Sequence, residues 1–259
     1  MINLYCIHFA GGSRYSFNGF VKNSPSSVNV VPLELPGRGS RVQEDLLTDI
    51  DLMVEDIFLQ VKDRLFEPFA IYGHSMGTLI GFLLVHRIKR EGLPLPVALY
   101  VSGRAGPKIK YKKHRHNLPQ QEFLKDLKEM GGIPDEMLAD HNLIVFFEPI
   151  IRADFMAVET YQYEPMEFLN IPIYVFYGSD EGIAPYEAMT WQDVTSELIE
   201  VKKFSGHHFF IFEYDKEIMN FIAKSVEKTR QTTSANNISV GSGVTRRQTL
   251  QNSSSGEIL

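Results

Sequence analysis

The pentapeptide Gly73-His74-Ser75-Met76-Gly77 has the residue types and spacing of a reactive turn. It follows the apolar run 69–72 and precedes a helical pattern that begins at Thr78. A serine on a sharp turn between a strand and a helix holds its hydroxyl above the sheet, and the flanking glycines leave room for that backbone. The helix start adds the positive end of its dipole. The pattern predicts that Ser75 is a nucleophile for acyl transfer.

A serine that attacks a carbonyl group needs hydrogen-bond donors for the oxyanion that forms. One donor is expected to be the backbone N–H of Met76, the residue after the serine. The second should come from a loop after an early strand, where His8-Phe9-Ala10-Gly11-Gly12-Ser13 is found. We expect Ala10 to supply this N–H, with Gly11 as the alternative. A simple Gly-Gly turn that closes the first strand is the competing interpretation.

A carboxylate should follow a late strand, because such sites have the chain order serine, acid, histidine. The run 171–177 is such a strand, and the turn Gly178-Ser179-Asp180 follows it. Asp180 is therefore the expected acid, although Asp also favours turns beside Gly for local reasons. Glu181 and Asp193 remain weaker competitors.

The base should follow the last strand, where His207 and His208 are adjacent. Either of the two could reach the serine. His8, His74 and His86 fall in a strand end, in the pentapeptide and within a helical pattern, where buried or surface roles are more common. No His, Cys, Asp or Glu cluster has the spacing of metal ligands, so no metal and no cofactor is expected.

Short apolar runs alternate with helical patterns along most of the chain. The predicted strands are 4–9, 28–33, 69–72, 97–101, 171–177 and 198–204, and the predicted helices include 44–65, 78–91 and 209–228. Such alternation indicates a mostly parallel sheet with helices on both faces. With the serine turn in its place, the fold class is α/β, of the α/β-hydrolase type.

The alternation fails between about residues 106 and 165, where two or three helices are expected instead. In a compact sheet fold such an insertion is usually a lid. After residue 228 the chain is rich in Thr, Ser, Asn and Gly with almost no apolar clusters. We therefore predict one catalytic domain over 1–228 and a disordered tail over 229–259.

Composition excludes several other classes of protein. A formal charge of −6 over 259 residues argues against a nucleic-acid binder. The single cysteine, Cys6, lies in an apolar run and cannot form an internal disulfide. The N-terminus lacks a basic segment, and no apolar run is long enough to span a bilayer. A cytoplasmic protein is expected.

Several further motifs accompany these residues from about Leu4 to Phe221. They are His8-Phe9-Ala10-Gly11-Gly12, Leu35-Pro36-Gly37-Arg38-Gly39, Ser102-Gly103-Arg104 with Pro107, Met130-Gly131-Gly132-Ile133-Pro134, Arg152-Ala153-Asp154-Phe155 and Gly206-His207-His208-Phe209-Phe210. With them the chain resembles the stand-alone type II thioesterases of nonribosomal peptide and polyketide synthases, including those of antibiotic biosynthesis. The resemblance implies hydrolysis of misloaded acyl or aminoacyl groups on the phosphopantetheine arm of carrier proteins. It also selects His208 as the base, although the family usually has glycine at the position of His207.

Charged residues outside the motifs are compatible with more than one role. The basic run Lys108, Lys110, Lys112, Lys113 and Arg115 could meet an acidic carrier protein, but a solvated loop is the commoner interpretation. Arg38 and Arg41 could orient a loop beside the site or form ordinary ion pairs. Arg152 and Asp154 are expected to brace the lid.

Three alternatives to the thioesterase remain open at this level. A general carboxylesterase or lipase would use the same serine, acid and histidine on oxygen esters. A catalytically idle module would keep the fold and bind carrier proteins. An acyltransferase or cyclase would pass the acyl group to an alcohol or amine.

Overall fold

The computed structural model describes residues 1–110, 113–131 and 140–241, with side chains up to residue 228. Its centre is a sheet of six parallel strands in the order β2-β1-β3-β4-β5-β6. The strands are β1 (Ile2–Ile7), β2 (Val28–Pro32), β3 (Phe69–His74), β4 (Leu99–Ser102), β5 (Ile173–Gly178) and β6 (Glu200–Phe204). The α/β-hydrolase prediction is confirmed, since all six predicted strands form one parallel sheet.

The central strands are mostly apolar because both of their faces are covered. Every residue of β3, β4 and β5 is buried, whereas the edge strand β6 is partly exposed. β2 lies on one side of β1 in the sheet, and the chain then crosses over so that β3 lies on the other side of β1. Loops after neighbouring strands diverge at such a switch point and leave a crevice at the carboxyl edge of the sheet.

Helices cover both faces of the sheet. They are α1 (Asn18–Lys22), α2 (Ile50–Val61), α3 (Met76–Arg90), α4 (Gln120–Glu129), α5 (His141–Thr160), α6 (Pro185–Met189) and α7 (Asp215–Gly241). The buried residues of α2 recur every three or four positions, and Asp49 caps its start by accepting hydrogen bonds from two backbone N–H groups. The core beneath α2 and α3 occupies one face, and that beneath α1 and α7 the other.

The insertion between β4 and β5 is helical, as its sequence predicts. Its described part contains a short 3-10 helix (Arg115–Asn117), α4 and α5. Phe123, Leu127, Ile151 and Phe155 form a small core of their own between α4 and α5. The motif 130–134 lies only partly within the described residues.

The C-terminal helix extends further than its sequence pattern. α7 continues to Gly241, past the predicted boundary at residue 228, because a helix that has been nucleated gains one hydrogen bond for each added residue. Of the tail over 229–259 that was predicted to be disordered, residues 229–241 are helical, and residues 242–259 lie outside the described residues. No helix in the described part of the chain has the length and apolar character needed to cross a membrane.

Cys6 lies in the middle of the sheet. Its side chain is fully buried in β1, and burial raises the pKa of its thiol well above the ordinary value. It is therefore a small core residue in the folded chain.

Candidate active site

Ser75 occupies a strained turn between β3 and α3. Its backbone has φ 55° and ψ −112°, and it is the one non-glycine residue with positive φ in the described part of the chain. A Cβ atom at Gly73 would overlap the Gly77 carbonyl, and a Cβ at Gly77 would overlap the Ile7 carbonyl. Gly73 thus lets the turn close on the start of α3, and Gly77 lets it pack against β1. Strain of this kind is typical of functional sites.

Hydrogen bonds to β4 hold the turn in place. The Ser75 N–H donates to the Ser102 carbonyl at 2.8 Å. The Thr78 hydroxyl lies 2.8 Å from the Gly73 carbonyl and 2.9 Å from the Ser102 carbonyl. The position of the Ser75 backbone is therefore set by two neighbouring strands and the first turn of α3.

His74 is a buried support for this turn. Its Nδ1 lies 2.7 Å from the Ser102 hydroxyl, which is 2.8 Å from the Tyr72 hydroxyl. Burial, together with repulsion from His208, lowers the pKa of His74 well below its ordinary value. The neutral ring lies 4.8 Å from the His208 ring, centre to centre, and forms part of the surface on which that ring rests.

A buried carboxylate holds the His208 ring. His208 Nδ1 lies 2.8 Å from Glu181 Oε2, and the Glu181 side chain is fully buried. Glu181 Oε1 also accepts a hydrogen bond from the Gly178 N–H at 2.6 Å. A Cβ at Gly103 would lie 3.0 Å from His208 Cε1, so this glycine allows the ring to approach β4. His208 Nε2 is the ring nitrogen left for a proton transfer.

Asp180, the acid expected from the sequence, is not the partner of His208. Its side chain is exposed, and its backbone N–H donates to the Gly206 carbonyl at 2.9 Å. The side chain of the next residue, Glu181, instead turns back toward the Gly178 N–H and the His208 ring. Asp193 is also elsewhere, 3.4 Å from Lys108. Glu181 is one of the two weaker competitors named from the sequence, and its spacing from Gly178 does not distinguish it from Asp180.

The two adjacent histidines face different surroundings. His207 is exposed, whereas His208 has 14% of its side chain exposed and contacts the Phe209 ring. The Phe210 side chain is buried and stacks on Phe204 of β6, with ring centres 5.2 Å apart. Packing of this phenylalanine fixes the direction of the loop and turns His208 toward the cavity.

The loop after β1 supplies the candidate oxyanion donors. The Gly11 N–H donates to Asp154 Oδ2 at 2.7 Å, and the Gly12 N–H donates to the Phe9 carbonyl at 2.9 Å. The Ala10 N–H has no hydrogen-bond partner among the described residues. Gly11, the alternative donor, is therefore occupied, and Ala10 remains the candidate. The Met76 N–H lies in the first turn of α3, where helix N–H groups lack intrahelical partners.

A cavity of about 340 Å³ lies beside Ser75 and His208, beneath the insertion. Ser75, Gly103, Glu181 and His208 line one side of it, and Met130 and Phe155 of the insertion line the other. The insertion thus covers Ser75, as expected of a lid. Lys110, Lys113 and Arg115 also border the cavity.

The predicted basic run is largely paired with acidic residues. Lys113 and Arg115 both contact Asp126 of α4, the latter at 2.6 Å, and Lys108 lies near Asp193. Lys112 lies outside the described residues. The charge of the run is therefore partly neutralised within the chain.

The other charged residues singled out in the sequence have structural partners. Arg41 pairs with Asp56 and Glu44, away from Ser75. Arg152 pairs with Glu148 at 2.8 Å and covers the Phe123 ring, so it braces the lid.

One group of side chains has the composition of a metal site. Potential ligand atoms of His114, His116 and Glu159 all lie within 4.8 Å of one another. The Glu159 carboxylate, however, already accepts hydrogen bonds from the backbone N–H groups of Arg115 and His116, at 2.9 and 3.2 Å, and contacts His116 Nδ1. The group is explained as a cap on the 3-10 helix at the start of the lid.

The sequence from residue 2 to residue 226 matches the family model described as "Thioesterase domain". The chain belongs to the thioesterase family. This thioesterase is a hydrolase of the α/β serine-hydrolase type, and the predicted enzyme class is confirmed.

The thioesterase is similar to several proteins that are named for biosynthetic pathways. It is 34% identical to the gramicidin S biosynthesis protein GrsT of Aneurinibacillus migulanus, over 87% of this chain and 89% of that protein. It is 31% identical to the human medium-chain S-acyl fatty acid synthase thioesterase, over 86% and 87% of the two chains. The solved type II thioesterase BorB, from the borrelidin biosynthetic cluster, is 30% identical with a TM-score of 0.75, over 86% of this chain and 89% of BorB. The resemblance to type II thioesterases is confirmed.

Proposed function

We propose that this thioesterase hydrolyses acyl or aminoacyl thioesters on the phosphopantetheine arm of carrier proteins and thereby clears misloaded synthases. The contact that supports the catalytic assignment is the 2.8 Å approach of the buried Glu181 carboxylate to His208 Nδ1, in a cavity that also contains Ser75. GrsT, which is named for gramicidin S biosynthesis, and BorB, from the borrelidin biosynthetic cluster, support the choice of substrate.

The proposed reaction uses Ser75 as nucleophile and His208 as base. His208 Nε2 accepts the hydroxyl proton as Ser75 Oγ attacks the thioester carbon, and Glu181 stabilises the imidazolium and holds its tautomer. The carbonyl oxygen becomes an oxyanion that the Ala10 and Met76 N–H groups bind. The carbon–sulfur bond then breaks, His208 donates its proton to the departing thiolate, and an acyl-serine remains.

Water then hydrolyses the acyl-serine with the help of the same residues. His208 removes a proton from a water molecule that attacks the acyl-serine, and a second oxyanion forms in the same place. Its collapse breaks the ester bond, and the proton held by His208 returns to Ser75 Oγ. The products are a carboxylic acid and a carrier protein with a free thiol. These reaction steps need neither a metal nor a cofactor.

The cavity border supports a phosphopantetheine substrate. Lys110, Lys113 and Arg115 lie at the cavity that contains Ser75, where cations can attract the phosphate of the arm even though acidic residues partly balance them. Contacts made far from the carbonyl can position a thioester without touching the reacting atoms.

The human medium-chain relative favours a second candidate, release of a fatty acyl chain from the carrier of a fatty acid synthase. The chemistry at Ser75 would be identical, and the difference would lie in the partner and in the acyl chain. Rates on aminoacyl and on medium-chain acyl carriers, measured side by side, distinguish the two.

The decisive experiment compares matched acyl groups on a carrier protein, on a short thiol and on an oxygen ester. We expect the carrier thioester to have the highest kcat/KM and the oxygen ester the lowest. Ser75→Ala should lower the rate by about 10⁴-fold or more while circular dichroism stays native. A faster oxygen ester would indicate a general carboxylesterase. An unchanged rate in the folded variant would contradict the serine mechanism, and carrier binding without turnover by the parent chain would indicate an idle module.

A further inference from the structure

A buried ion pair joins the lid to the loop that carries Ala10. Arg38 Nη1 and Nη2 donate to Asp154 Oδ2 and Oδ1 at 2.5 and 2.8 Å, in a two-pronged contact. The Asp154 side chain on α5 is fully buried, and that of Arg38 is 3% exposed. Neither residue borders the cavity at Ser75. Any effect of the pair on the reaction is therefore transmitted through other groups.

The same carboxylate also binds the backbone of the loop. Asp154 Oδ2 accepts the Gly11 N–H at 2.7 Å, and Arg38 Nη1 lies 3.5 Å from the Gly12 carbonyl. Gly11 has φ +78°, and a Cβ there would lie 2.6 Å from Ile151 Cγ1 on α5. The peptide on the C-terminal side of Ala10 is thus held by the lid helix through one hydrogen bond and one close packing contact.

We propose that the Arg38–Asp154 pair is a positioning element that directs the Ala10 N–H toward the oxyanion, so that placement of the lid helix and oxyanion binding are coupled. This inference rests on the proposed function. By drawing the Gly11 N–H to itself, Asp154 removes that donor from the cavity and fixes the rotation of the adjoining peptide. Ala10 is left as the loop residue whose N–H can face the oxyanion.

The chemical nature of the pair suits a role in geometry more than one in stability. A buried ion pair is often no more stabilising than apolar residues of the same volume, because both charges lose their hydration. The planar guanidinium and the carboxylate do, however, fix each other's direction, which an apolar contact would not. An oxyanion donor requires such control of direction, because the stabilisation that it gives to the oxyanion depends on its precise placement.

Asp154→Asn is the primary test, with an acyl thioester of a short thiol as substrate. The amide keeps the size of the carboxylate but cannot accept from both Arg38 nitrogens. We expect kcat to fall by about 10²-fold with KM within about threefold of the parent, because the oxyanion exists only after attack. Affinity for an acyl trifluoromethyl ketone, which forms an oxyanion when Ser75 adds to it, should fall by the same factor as kcat/KM.

A second variant keeps the test informative if Asp154→Asn folds poorly. Arg38→Met with Asp154→Leu removes both charges, so the melting temperature should return toward the parent value while kcat stays low. Glu148→Gln breaks a different ion pair on α5 and is the matched control, with the inhibitor affinity expected to be unchanged. Parental kcat in the double variant, or a loss of kcat without a parallel loss of inhibitor affinity, would overturn the proposal.

A fluorophosphonate probe separates this proposal from the proposed function. The parent and the variants should all be labelled at Ser75, the variants more slowly. If the parent is not labelled, the serine mechanism itself is wrong. If the parent is labelled and the Asp154 variants keep the parental rate of labelling and turnover, only the positioning role is wrong.

Discussion

At the scale of single residues, the candidate site depends on which of two neighbours faces inward. Asp180 and Glu181 are adjacent, as are His207 and His208, and in each pair one side chain is exposed and the other contacts the site. The sequence could locate both turns because each follows a predicted strand. It could not choose Glu181, because the direction of a side chain on a turn depends on tertiary hydrogen bonds such as that from Gly178.

Exchange of Glu181 for Gln tests the acid. The amide should keep the ring in place but favour the wrong tautomer, and we expect kcat to fall by about 10³- to 10⁴-fold. Asp180→Asn, on the exposed neighbour, should stay within about threefold of the parent, since isolated surface changes have small effects. Steady-state hydrolysis of a short-thiol thioester measures both. An equal loss in the two variants would contradict the assignment of Glu181.

The histidine pair offers a similar comparison. His208→Ala should lose about as much activity as Ser75→Ala, and the two changes together should add little, because members of such a set act as one unit. His207→Gly should remain within about tenfold of the parent, since its side chain is exposed. Rates of acyl-enzyme formation in single-turnover experiments give the comparison. If His207→Gly abolishes turnover and His208→Ala does not, the base is misassigned.

At the scale of elements, the turn between β3 and α3 combines backbone strain with close packing. The strands and α3 could be predicted from apolar runs and helical periodicity, and their placement followed from the preference for parallel pairing through crossover helices. The hydrogen bond from the Gly11 N–H to Asp154 of α5 could not be predicted, because the two residues are 143 positions apart, and Arg38 and Asp154 are 116 positions apart. No sequence pattern near these residues indicates which residue each of them contacts.

Gly77→Ala should destabilise the protein because the added methyl group meets the backbone of β1. A Cβ there overlaps the Ile7 carbonyl, and a backbone atom cannot move aside as a side chain can. We expect the free energy of unfolding to fall by about 1–3 kcal/mol or more. Urea unfolding followed by circular dichroism measures it.

Gly92→Ala is the control for that change. A Cβ at Gly92 meets nothing within 4 Å, although its φ of +67° adds some strain. The free energy of unfolding should fall by about 1–2 kcal/mol, from backbone strain alone. A Gly77 variant more stable than the Gly92 variant would mean that the turn relaxes away from β1.

At the scale of the whole molecule, three buried histidines link stability to pH. Burial, with repulsion from Arg38, lowers the pKa of His8 to about 3, and burial with nearby cations lowers that of His86 to about 4. The pKa of His74 is also lowered, as described above. In the unfolded chain these groups titrate near their ordinary pKa of about 6.5, so the unfolded state binds more protons below that pH.

We therefore expect the free energy of unfolding to decrease as the pH falls below about 6.5, by about 1.4 kcal/mol per pH unit for each histidine. His86→Gln should reduce this slope by one histidine's share between about pH 6.5 and pH 4. His141→Gln, at an exposed position, should leave the slope unchanged. Urea titrations at several pH values provide the measurement, and identical slopes in the parent and the His86 variant would contradict the pKa assignment.

The position of Cys6 has a practical consequence for measuring the reaction. Hydrolysis of a thioester releases a thiol, which a disulfide reagent such as Ellman's converts to a coloured product. Because the chain's single cysteine is enclosed in β1 and its thiolate is disfavoured, the folded enzyme should add no signal of its own during turnover. The same reagent then reports unfolding, since one equivalent of thiol becomes reactive when the sheet opens. Catalysis and loss of structure can thus be followed with one colorimetric readout in the unmodified sequence.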